Sequence, residues 1–88
     1  MKLKSGFLCR EVAGQWVVVP LGERVVEFNG IMTLSESGAL LLRTMENEVQ
    51  EEELVQIVLN EYIVDEESAR SDIREFVTSL KDNGLLIE

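Results

Sequence analysis

The sequence contains no histidine, one cysteine and one proline, and its aromatic residues are one tryptophan, one tyrosine and three phenylalanines. Each scarcity removes a class of chemistry. Histidine is the side chain whose unperturbed proton exchange lies near neutral pH. Without it, Ser35, Ser37, Ser68, Ser71 and Ser79 have no base that could activate a hydroxyl nucleophile. The lone Cys9 cannot close an internal disulfide, and with no imidazole beside it reads as a small apolar strand residue. No phosphate-cradling loop and no metal-spaced motif occurs. Glu46, Glu48, Glu51, Glu52 and Glu53 are dense enough to raise a hard-cation site. They lack the alternate spacing and central glycine of a calcium loop, and carboxylates opening a helix are explained by its dipole.

Bases are scarce as well. Seventeen acids against eight Lys and Arg give a net charge of −9, which repels phosphate backbones and anionic membranes. No apolar run approaches the ~20 residues of a membrane span, and no signal-peptide core follows Met1–Gly6. The chain of 88 residues leaves little room for a ligand-burying cleft. The expectation is a cytoplasmic, single-domain binding protein and not an enzyme, with no cofactor, no metal, no nucleic acid and no membrane partner. Residues 1–6 read as a flexible lead-in and 7–88 as the domain.

What is present is a block of strand-like runs followed by three amphipathic helices. Residues 7–13 form a strand candidate, and Gly14 permits reversal into Gln15–Val19, closed by Pro20. Val25–Phe28 and Ile31–Leu34 flank Asn29-Gly30, the strongest short hairpin signal, or form one longer strand with a glycine bulge. Ser35 is the expected N-cap of the first helix, whose stripe is Ala39, Leu41, Leu42 and Met45. The second helix runs from Glu51 to about Tyr62. The third opens at Asp65, buries Ala69, Ile73, Phe76, Val77 and Leu80, and ends at Gly84 as the left-handed residue beyond the cap. This order predicts an α+β, winged-helix-like domain with a small antiparallel sheet of three to four strands. Leu85–Ile87 reads as a last short strand or an apolar plug, and Trp16 as the anchor of a small core.

On the third helix, Arg70, Arg74 and Lys81 share one stripe with Val77 and border the core through Ile73. Two readings stand. The bases pair with neighbours such as Glu66 and Glu67, or they wall a groove suited to an acidic, partly apolar peptide.

The order of motifs resembles the PqqD-like family of leader-peptide recognition elements. The resemblance runs through Trp16–Pro20, Asn29–Leu41, Glu52–Val55, Tyr62–Asp65, then Asp72, Phe76, Leu80 and Gly84–Leu86. Ser35 and Leu42 stand where many relatives have Asn and Trp, and both keep the physical role. The resemblance implies that a precursor's leader peptide adds a strand along Ile31, Met32, Thr33 and Leu34 and lies against Arg70, Ile73, Arg74, Val77 and Lys81. It also implies a separate maturation enzyme, often a radical-SAM protein, to which this chain presents the peptide. The rival winged-helix reading is a DNA-binding regulator. It needs a basic recognition helix, and no base lies between Glu51 and Tyr62. A third reading is a dimerisation module, since an open sheet edge can pair with its own copy. Monomer and homodimer both remain open.

Overall fold

A computed structural model describes residues 1–27 and 32–87. Strands β2 (Phe7–Val12) and β3 (Gln15–Pro20) pair antiparallel, with Val12 opposite Gln15. The reversal between them uses only Ala13 and Gly14, at φ 52° and 81°. Positive φ at both central positions is what a type I′ turn demands, and its twist matches that of the strands. Strand β4 (Met32–Leu34) then pairs antiparallel with β3, placing Leu34 opposite Trp16 and Met32 opposite Val18. The sheet order is β2-β3-β4.

Side chains alternate across this sheet. Val18 is fully buried, and Phe7, Cys9, Met32 and Leu34 pack beside it against the helices. Leu8 and Val12 belong to the opposite set and are exposed.

The Val25–Phe28 strand expectation is corrected. Arg24–Glu27 form a single helical turn, α1, entered through Gly22 at φ 55°. The Arg24 Nε donates to the Ser5 carbonyl at 2.9 Å, and its guanidinium lies 5.9 Å from the Phe7 ring centroid. These contacts with Ser5 and with Phe7 of β2 override the β preference of two adjacent valines. Both the hairpin and the bulged-strand alternatives therefore fail before residue 28. Asn29-Gly30 itself lies outside the described residues.

Three longer helices follow. Helix α2 (Glu36–Thr44) is capped by Ser35, whose Oγ accepts from the Gly38 N–H at 3.1 Å. Helix α3 (Glu51–Glu61) has Glu51, Glu52 and Glu53 in its first turn and no side-chain cap. Helix α4 (Glu66–Asp82) is capped by Asp65, which accepts from the Ser68 N–H at 3.0 Å. At its other end Gly84 has φ 75°, and the Gly84 and Leu85 N–H groups donate to the Lys81 and Leu80 carbonyls. That is a Schellman ending, sealed by the fully buried pair Leu80 and Leu85.

The lead-in over residues 1–6 is also corrected. Lys2–Leu3 form strand β1, paired antiparallel with β5 (Leu86–Ile87). Leu3 is buried, and its N–H donates to the Met45 carbonyl at 2.8 Å. The two ends of the chain thus close over the core formed by Leu42, Met45, Leu54, Ile73 and Leu80. Among the described residues, no helix is long and apolar enough to cross a membrane.

Candidate functional site

Strand β4 has one neighbour among the described residues, β3. In an antiparallel ladder, alternate residues turn their N–H and C=O away from the partner, so along its outer edge β4 presents backbone groups with no strand partner among the described residues. Met32 and Leu34 are half-buried toward the helices, whereas Thr33 is exposed on the other face. Ile31, the remaining residue expected on this edge, lies outside the described residues. Ser35 follows Leu34 directly as the cap of α2, so strand and helix are joined without slack.

Next to this junction lies a groove of about 400 Å³. Ser35, Ser37, Gly38 and Leu41 line it from the side of α2, and Asp72, Ile73, Glu75 and Phe76 from α4. Gly38 leaves little spare room at this wall of the groove. A Cβ there would stand 3.4 Å from Phe76 Cε1, 3.3 Å from Ser35 Oγ and 3.6 Å from Leu34 Cβ.

The structure divides the α4 residues expected to wall a peptide site. Ile73 is buried and lines the groove. Val77 is buried in the core. Arg70 is turned to α3, where its two terminal nitrogens reach the Glu52 carboxylate at 2.5 and 2.9 Å; Glu66 stands at 3.5 Å. The Arg70 hydrogen bond, helped by Gln56, holds the Glu52 carboxyl below the usual range, and the same pairing raises the Arg70 guanidinium. Arg74 is exposed and makes no ion pair with another described residue; it borders a shallow surface depression with Thr78 and Asp82. Lys81 is exposed in the last turn.

At about 100° per residue, Arg70, Arg74 and Lys81 fall on one side of the buried stripe, and Asp72, Glu75 and Phe76 on the other. It is the acidic side that lines the groove with α2 and its Ser35 cap. Asp72 and Phe76 were visible in the motif order, but helical spacing alone does not say which flank meets the sheet. Glu75 follows from Asp72 by one turn.

Two further side chains are placed differently from simple core and surface roles. Trp16 does not anchor the core; it is half-exposed, and the Arg43 guanidinium lies 4.9 Å from its ring centroid. Burial pushes the Cys9 thiol up, with Arg43 opposing and Glu46 adding to the shift, so it is poorly disposed to react as a thiolate. Among the described residues, no three His, Cys, Asp or Glu side chains are gathered as a metal site.

Over residues 15–86 the sequence matches the model of the family described as Coenzyme PQQ synthesis protein D (PqqD). The chain belongs to the PqqD family. The fold expected from the order of motifs is borne out by solved structures that this PqqD-family chain resembles. TbiB1 in complex with the TbiA(beta) leader peptide superposes with a TM-score of 0.76 at 23% identity, covering 98% of this chain and 94% of that one. Lasso peptide synthetase B1 complexed with the leader peptide gives 0.76 at 23% identity, covering 99% and 96%. At this identity the likeness is one of fold. Comparison with curated proteins finds no match.

Proposed function

We propose that this PqqD-family chain is a leader-peptide-binding adaptor that takes up its peptide as an added strand on β4 and presents it to a modifying enzyme. The observation that carries this reading is the open edge of Met32–Leu34 beside a groove with an apolar floor. Main-chain bonds along the edge would supply affinity, and the groove register and side-chain selection. The leader peptides bound to both fold neighbours support it. Ile31 belongs to the proposed edge and Ile73 to the proposed wall; Val77 supports that wall from the core. Arg74 and Lys81 would meet peptide residues running beyond the groove, while Arg70 serves mainly to tie α4 to α3. The chain would act without catalysing, and a radical-SAM protein is the proposed maturation partner.

The test uses synthetic leader segments from short reading frames beside the gene of this chain, titrated by calorimetry. Each binding peptide is then remade with single backbone N-methyl groups. Strand addition predicts that methylation on one alternating set of amides abolishes binding and leaves the other set tolerant. Binding indifferent to every N-methyl group, or no binding by any encoded peptide, would overturn the reading. Light scattering distinguishes a heterodimer with peptide from self-pairing through the same edge.

A further inference from the structure

Resting on the peptide-binding reading above, we infer that the groove selects a strand-forming peptide that carries a lysine or arginine next to an aliphatic residue. The aliphatic side chain would lie on Leu41, Ile73 and Phe76, and the cation would meet Asp72 and Glu75. This reverses the charge preference that the basic stripe of α4 implies.

The charged side chains lining the groove are Asp72 and Glu75, both exposed, and no base lines it. Neither carboxylate makes an ion pair or hydrogen bond with another described residue. Each directly precedes an apolar lining residue, Ile73 and Phe76, so a cation beside an aliphatic side chain fits both features at once. Of the bases of α4, Arg70 is engaged by Glu52 and Glu66 on the opposite flank, and Arg74 borders Glu75 in the adjoining depression without lining the groove.

One feature opposes the assignment. The N-terminus of α2 opens into the groove, and its partial positive charge favours an anion. That charge is equivalent to roughly half an elementary unit, and Glu36 already stands in the same turn. Two full carboxylates outweigh it. The net charge of −9 adds a general attraction for cationic peptides, screened beyond about 10 Å at ordinary salt.

The experiment compares two pools of fluorescein-labelled peptides. Each fixes one aliphatic residue with either lysine or glutamate beside it, and all other positions are randomised among uncharged residues. Anisotropy is read at low ionic strength on the full chain and on the Asp72→Asn, Glu75→Gln double variant. For exposed charge pairs the expected preference of the natural chain for the lysine pool is about fivefold, closing in the double variant and at about 0.5 M salt.

Equal binding of the two pools, tighter binding of the glutamate pool, or a preference that survives in the double variant would overturn the charge assignment while leaving strand addition intact. Failure of the natural chain to bind either pool would overturn the charge assignment, while strand addition stands or falls on the encoded leader peptides. The salt arm needs no variant, so misfolding of the double variant does not remove the test.

Discussion

Removing the Phe76 ring probes structure and proposed site together. The ring is half-buried, forms part of the groove wall and packs against α2 where Gly38 leaves space for it. Truncating a fully buried phenylalanine costs about 3–5 kcal/mol, so a half-buried ring should cost about 1.5–2.5 kcal/mol. For a domain of this size that lowers Tm by roughly 10 °C. The effect on binding is separate. Full burial of an aliphatic side chain is worth about 1.5–3 kcal/mol, and Phe76 is one of three apolar lining residues with Leu41 and Ile73. Phe76→Ala should therefore weaken binding of the lysine–aliphatic pool by about 0.5–1 kcal/mol, or roughly two- to fivefold. Urea unfolding measures the first effect, and anisotropy well below Tm the second. Phe76→Leu should recover most of both. Loss of stability with unchanged affinity would refute the placement of the peptide in this groove.

Ala13→Asn should raise Tm by several degrees in a thermal melt, since alanine at φ 52° carries about 1 kcal/mol of strain that asparagine tolerates. An unchanged or lower Tm would count against the type I′ turn. Arg70→Gln should lower the melting temperature slightly and leave peptide affinity unchanged, because its partner is Glu52 and not the groove. Asp65 is held below its ordinary value chiefly by the Ser68 backbone N–H, and Glu52 chiefly by Arg70. A depressed carboxylate binds fewer protons folded than unfolded, so its stabilisation is full above the ordinary carboxyl range and is lost as pH falls below about 5. The Tm difference between the natural chain and Asp65→Ala should accordingly shrink from neutral pH toward pH values near 3.

Local chemistry made the helix limits readable from the sequence. Ser35 and Asp65 are caps because their short oxygens reach the third N–H beyond them, and Gly84 is the stop because that position needs positive φ. The β2–β3 reversal at Gly14 was equally local. Contacts distant in sequence hid the rest. Nothing in Val25–Val26 reveals that Arg24 reaches back to Ser5, and a pair of two-residue strands, β1 and β5, has no periodicity to detect. Trp16 resembles a core anchor by type, yet its ring lies on the sheet under Arg43.

The same limit applies to the site. The edge at Met32–Leu34 was legible from its place before the Ser35 cap. Helical spacing also grouped Arg70, Arg74 and Lys81 correctly on one flank of α4. Which neighbour that flank meets is a packing result, and Arg70 meets α3. The flank bearing Asp72, Glu75 and Phe76 is the one that lines the groove with α2 and the Ser35 cap, which changes the peptide chemistry the groove favours.

The central claim is that a leader peptide becomes the strand beyond β4. Its most direct test is amide hydrogen exchange at Met32, Thr33 and Leu34, resolved by residue, with and without saturating peptide. Strand addition predicts slowing by about tenfold or more at the amides that point away from β3, with little change at the already paired ones. A peptide that binds tightly while exchange over Met32–Leu34 stays unchanged would contradict the account.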